Sequence, residues 1–222
     1  MPAIVKSPHC PKLSGDFGPD RVIVECAYRR GLRDEYFESK VLDEWFAKYK
    51  DQWPFHESLR WDSKQLPPLA CGCSSALYVA TKYLDARYQA HLRYRYPNEI
   101  GGGDGASYEH AKTLLGEAAE SILGVGKGGE PPELLVFKPG SDSFRFVEMK
   151  RALPGKPSGC AKSKDDRATK NQRARFDEIE DSLKNDSPKC EKPLHDPSRL
   201  DLFPELPPGH WIHIVCLVEE GS

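Results

Sequence analysis

Residues 131–150 read PPELLVFKPGSDSFRFVEMK, two short apolar runs on either side of Pro-Gly-Ser-Asp, and that order predicts a β-hairpin. Strands over 133–138 and 143–150 enclose a turn at 139–142. Pairing Lys138 with Ser143 makes the numbers of paired residues sum to 281, which sets Glu133 directly across from Glu148. Opposed side chains have β-carbons about 4.5–5.5 Å apart, where two like charges repel. A divalent cation removes that repulsion, and a hard ion such as Mg²⁺ takes one or two carboxylates and completes its octahedron with water and phosphate. Side chains alternate along a strand, so Lys150 shares the face of Glu148. Two carboxylates and an ammonium on one face make a candidate metal site. The bland alternative is an exposed hairpin face with a weak Glu133–Lys150 ion pair.

After a loop, residues 168–185 (ATKNQRARFDEIEDSLKN) place Ala168, Gln172, Phe176, Ile179 and Leu183 at three- and four-residue spacing. The spacing predicts an amphipathic helix with one amide on its apolar stripe. A half-buried amide without a partner costs about 1–3 kcal/mol. Gln172 therefore either sits at the solvent edge of the stripe or points at the hairpin carboxylates.

Taken in order, GKGGEPPELLVF, FRFVEMK, KNQRARFDEI and WIHIVCLV resemble the VRR-NUC family of the PD-(D/E)XK nuclease superfamily. That family's pattern is a Gly-rich lead into PDLL, a strand bearing ExK, a helix opening with Gln and a closing strand. The resemblance covers residues 126–218. One position departs from the pattern: the aspartate after proline is Glu133 here, and its extra methylene moves the carboxylate by about one carbon–carbon bond.

The resemblance implies an α/β fold with a PD-(D/E)XK, restriction-endonuclease-like core, a central mixed sheet flanked by helices, behind a mainly helical N-terminal half. It implies that Glu133 and Glu148 hold Mg²⁺ or Mn²⁺ together with the Met149 backbone carbonyl. Lys150 would position the attacking water and stabilise charge growing on the phosphate, and Gln172 would orient that water or the lysine. The implied activity is metal-dependent hydrolysis of DNA, leaving a 5′-phosphate and a 3′-hydroxyl. Family members often add a glutamate from an upstream helix. Residues 106–123 read as such a helix, buried along Ala111, Leu114, Leu115, Ala118, Ala119 and Ile122, and Glu109 near its start is the candidate ahead of Glu117 and Glu120.

With 32 basic and 34 acidic residues the formal charge is -2, so the overall field does not mark a nucleic-acid binder. Locally the balance differs: from Arg145 to Arg175 ten Lys/Arg stand against three acidic residues, an excess of seven. Arg151, Lys156, Lys162, Lys164, Arg167, Lys170, Arg173 and Arg175 are the candidate phosphate contacts, most of them in a basic loop over 151–170.

The rest of the chain supplies organisation. Residues 1–100 read as a mainly helical N-terminal region and 101–222 as the nuclease core, with the boundary in PNEIGGGDGAS. A strand is expected over 21–28, a helix over 34–49, and a stronger helix over 75–96 with a stripe through Leu77, Ala80, Tyr83, Leu84, Tyr88 and His91. Six prolines mark an insertion over 185–209, read as an elaborated loop, a substrate clamp or a surface held by a partner. Seven cysteines at irregular spacing form neither a disulfide framework nor a zinc site and are expected to be reduced. His210 and His213, flanking the last strand, read as surface or edge residues. With no run of 18 apolar residues and no signal-peptide pattern at the start, the expectation is a soluble protein, cytoplasmic in the cell that makes it. Two roles fit a nuclease of this kind. One is an antibacterial effector, delivered into a target bacterial cell and neutralised by a cognate immunity protein, which the small stand-alone size favours. The other is a structure-specific repair nuclease. The competing class is a module that binds nucleic acid or protein and has lost the chemistry.

Overall fold

A computed structural model describes residues 17–18, 20–29, 44–45, 47–49, 67–92, 94, 106–124, 131–152, 170–186 and 193–220, the side chains of 67–75, 106, 151–152, 186 and 219 excepted. Five strands form one mixed sheet: β1 (Ile23–Tyr28), β2 (Gln89–Leu92), β3 (Leu134–Phe137), β4 (Phe144–Ala152) and β5 (Ile212–Glu219), in the order β1-β5-β4-β3-β2. The helices are α1 (Pro67–Asp85), α2 (Ala106–Leu115), α3 (Ala119–Leu123), which follows a 3-10 turn at Gly116–Ala118, and α4 (Lys170–Asp186). The chain is α/β. Its sheet takes β1 and β2 from before residue 100 and the other three strands from after it.

The hairpin forms in the expected register. Leu134 opposes Val147, Phe137 opposes Phe144, and the Lys138 N–H donates to the Ser143 carbonyl at 3.4 Å. Gly140 supplies the left-handed residue of the turn at φ 72°. β4 runs parallel to β5, a pairing that needs a crossover connection, and α4 lies in that crossover.

Alternation along the strands builds two apolar layers. Phe144, Phe146, Ile212 and Ile214 face α2, α3 and α4, meeting Leu115, Ile122, Phe176, Ile179 and Leu183. Val147, Met149, Val215 and Leu217 face α1, meeting Leu77, Ala80, Tyr83 and Leu84. Because both faces of β4 are covered, residues 144–150 are buried without exception, Glu148 and Lys150 included. The predicted stripe of α4 is the buried one: Phe176, Ile179 and Leu183 are no more than 1% exposed, each contributing about 1.5–3 kcal/mol of burial.

Several expectations are corrected. The helix expected over 75–96 begins at Pro67 and stops at Asp85, and residues 89–92 are a strand paired to β3, with His91 opposite Leu135. Arg87, at φ 66°, ends it: its N–H bonds the Leu84 carbonyl and the Tyr88 N–H the Tyr83 carbonyl, the two bonds of a Schellman cap. His213 is no surface or edge residue. It lies inside β5, between β1 and β4, 1% exposed, with Nε2 3.1 Å from the Tyr83 hydroxyl.

The Pro-rich insertion, where described, is part of the core. Leu202 and Phe203 are buried against α1, the Leu194 N–H bonds the Phe144 carbonyl, and buried Arg145 donates to the Pro204 carbonyl at 2.9 Å. Cys216, buried in β5, is disulfide-bonded rather than reduced, and the other half of the bond lies outside the described side chains. The helix expected over 34–49 falls outside the described residues except at 44–45 and 47–49, which are helical. Among the described residues no helix is long and apolar enough to cross a membrane.

Candidate active site

Glu148 lies midway along β4, opposite Ile214, and is 1% exposed. Lys150, two residues on and therefore on the same face, is 6% exposed and places Nζ 2.6 Å from Glu148 Oε1. Gln172 comes from the first turn of α4 and donates from Nε2 to the same oxygen at 2.6 Å. The amide on the apolar stripe thus points at the hairpin. Burial pushes the Glu148 carboxyl above the usual range, and the Lys150 charge, the hydrogen bonds from Lys150 and Gln172 and the nearby Glu133 backbone N–H pull it part of the way back. The other oxygen, Oε2, is buried with no hydrogen-bond partner among the described residues. Buried acceptors are ordinarily satisfied, so a carboxylate with one oxygen doubly donated and the other bare is shaped for a further ligand on the bare side.

Glu133 sits just before β3 and is exposed. Carrying the hairpin register one residue past the strand puts it opposite Glu148, on the same face. The same register bears on Met149. Hydrogen-bonded pairs recur every second residue in an antiparallel ladder, so after Lys138–Ser143 come 136–145, 134–147 and 132–149. Residue 132 is proline, which has no N–H, and the ladder gives the Met149 carbonyl no donor. The Pro132 carbonyl is itself held by the Tyr94 hydroxyl at 2.7 Å. A helix continued to residue 96 would give Tyr94 no reason to meet the hairpin; the strand at 89–92, paired to β3, brings it there.

Among the described residues no three His, Cys, Asp or Glu side chains gather into a metal cluster. The donors around Glu148 are instead one bare carboxylate oxygen, one carbonyl and the carboxylate across the hairpin, an all-oxygen set. That chemistry fits Mg²⁺ or Mn²⁺, which keep several waters, and does not fit zinc.

The remaining candidates separate. Glu109 is 65% exposed and ion-paired with Lys112 at 3.2 Å on the outer side of α2, and Glu117 and Glu120 are exposed. Lys170 and Arg173 are exposed at the start of α4. Arg175 is corrected: it is 2% exposed, and its Nη2 donates to the Ser121 and Ile122 carbonyls at 2.8 and 2.6 Å, tying α4 to the end of α3 rather than facing a phosphate backbone. Lys156, Lys162, Lys164 and Arg167 lie outside the described residues, as does the side chain of Arg151.

No family model, curated protein or solved structure matches the chain.

Proposed function

We propose that this chain is a metal-dependent nuclease of the kind its motifs resemble, hydrolysing DNA phosphodiester bonds in a PD-(D/E)XK-like core. One observation carries the reading: both side chains that donate to Glu148, Lys150 and Gln172, converge on Oε1, leaving buried Oε2 bare. Glu148 Oε2, the Met149 carbonyl and Glu133 would hold Mg²⁺ or Mn²⁺. When bound, such an ion neutralises phosphate oxygens and makes water a better nucleophile. Gln172 fixes the rotation of the Glu148 carboxylate by occupying Oε1, so that Oε2 faces the ion. Lys150 brings a buried ammonium to the same edge, where it stabilises negative charge growing on the phosphate and orients water without competing for the metal. The closed layers on both sides of β4 keep these charges out of bulk water, where they act most strongly.

Purified protein incubated with supercoiled plasmid, linear duplex and RNA, in Mg²⁺, Mn²⁺ or chelator, tests this. The expected result is cleavage of DNA that chelator abolishes and that Lys150→Ala slows by about a hundredfold or more. A wild type that cuts nothing, or a variant that matches it, ends the nuclease reading.

A further inference from the structure

We propose that Arg173 is the phosphate-contacting residue that seats the DNA backbone beside Glu148, and that Gly18 holds its guanidinium in place; this rests on the nuclease reading. Phe17, Gly18 and Arg21 lie along one stripe of α4, meeting positions 173, 176, 177 and 180. Phe17 stacks on Phe176 with ring centroids 5.6 Å apart and planes 9° from parallel. Arg21 donates to Asp177 at 2.8 Å and pairs with Glu180. Between these contacts the Arg173 guanidinium lies across Gly18. A β-carbon there would stand 3.1 Å from Nη2, 3.4 Å from Cζ and 3.7 Å from Nε.

Gly18 also has φ 99°, a conformation that side chains other than glycine's rarely adopt. Glycine therefore suits the turn, and a β-carbon there would push the guanidinium aside by a few tenths of an ångström. Arg173 itself is exposed, and among the described residues no carboxylate pairs with it. Its natural partner at helical spacing, Asp177, is engaged by Arg21 through Oδ1. The other arginine of the helix, Arg175, is spent on carbonyls of α3. What remains, among the described residues, is a positioned guanidinium with no carboxylate beside it, immediately after the residue that touches Glu148. A planar guanidinium braced from behind loses little freedom on meeting a phosphate, which is the geometry for bidentate contact.

Binding of a short labelled duplex, followed by fluorescence anisotropy in chelator across a salt series, tests the assignment, with the unfolding midpoint of each variant measured beside it. Arg173→Ala is expected to weaken binding about tenfold at low salt and to flatten the slope of log affinity against log salt by about 0.9, the value for one phosphate contact. Gly18→Ala, which changes no charge, should move both quantities the same way by displacing the guanidinium. Lys138→Ala, at the far turn of the hairpin, should leave the slope unchanged. If the wild type binds and cuts duplex while Arg173→Ala keeps the wild-type slope, this assignment falls and the nuclease reading stands. If Gly18→Ala folds and binds as the wild type does, the brace is wrong. A wild type that neither binds nor cuts overturns both.

Discussion

Gln172 Nε2 donates to Glu148 Oε1 at 2.6 Å, joining the first turn of a crossover helix to the middle of a buried strand 24 residues earlier. The contact converts a polar residue on an apolar stripe into the part that decides which carboxylate oxygen is left bare. Without it Glu148 keeps Lys150 as its donor from the described side chains. Gln172→Ala should lower stability by about 1–3 kcal/mol, the cost of leaving a buried acceptor short of a donor. Thermal unfolding checks this. Gln172→Glu should be worse than Ala, because it sets a second carboxylate against the first; a Glu variant as stable as the wild type would contradict the geometry.

Arg87 offers a stabilising change. It occupies the left-handed position of the cap that ends α1, and it is exposed. A side chain in that conformation costs roughly 1 kcal/mol that glycine does not. Arg87→Gly should raise the unfolding free energy by about that amount, measured by urea titration with no change in slope.

Through His213 and Glu180 acid should lower stability in two windows. His213, buried with Arg145 nearby, is held well below its ordinary value of 6.5 by burial first and the Arg145 charge second. The unfolded chain therefore takes that proton first, and the stability contributed by neutral His213 is complete above about pH 6.5 and lost as pH falls toward the folded value. Glu180 behaves in the same direction at lower pH. Burial alone would raise its carboxyl, but the His210 hydrogen bond, the Arg21 charge and the Trp211 N–H outweigh it and hold it below the ordinary 4.5. Its contribution is present above about 4.5 and lost as pH falls through the folded value. Unfolding midpoints measured from neutral pH downward should begin to drop below about 6.5. In His213→Gln the first decline should shrink, leaving the share due to His91 and His110, which burial likewise holds low.

How far the residues themselves announce this structure depends on whether the signal is local. The hairpin register was legible because Pro-Gly-Ser-Asp fixes the turn, and once Lys138 meets Ser143 every later pair is determined, including the placement of Glu148 and Lys150 on one face. The stripe of α4 was legible from spacing alone. The end of α1 was not, because Tyr88 and His91 continue the helical spacing and an arginine takes the position where glycine would mark a stop. His213 and Arg175 differ from the sequence expectation for a related reason. Polarity suggests exposure, yet His213 is buried against the Tyr83 hydroxyl and Arg175 against the carbonyls that end α3, partners that only the packed chain provides. Gly18 shows the same limit, since its role is defined by a guanidinium 155 residues away.

In the proposed reaction bare Glu148 Oε2 receives the metal ion needed to cut DNA. Glu148→Gln is the most direct test, since it keeps the size and an Oε-type acceptor while removing the charge a divalent ion requires. The rate of Mg²⁺-dependent nicking of supercoiled plasmid should fall by about a hundredfold or more in Glu148→Gln, with the protein still folded by circular dichroism. Nicking by Glu148→Gln at the wild-type rate would contradict the account.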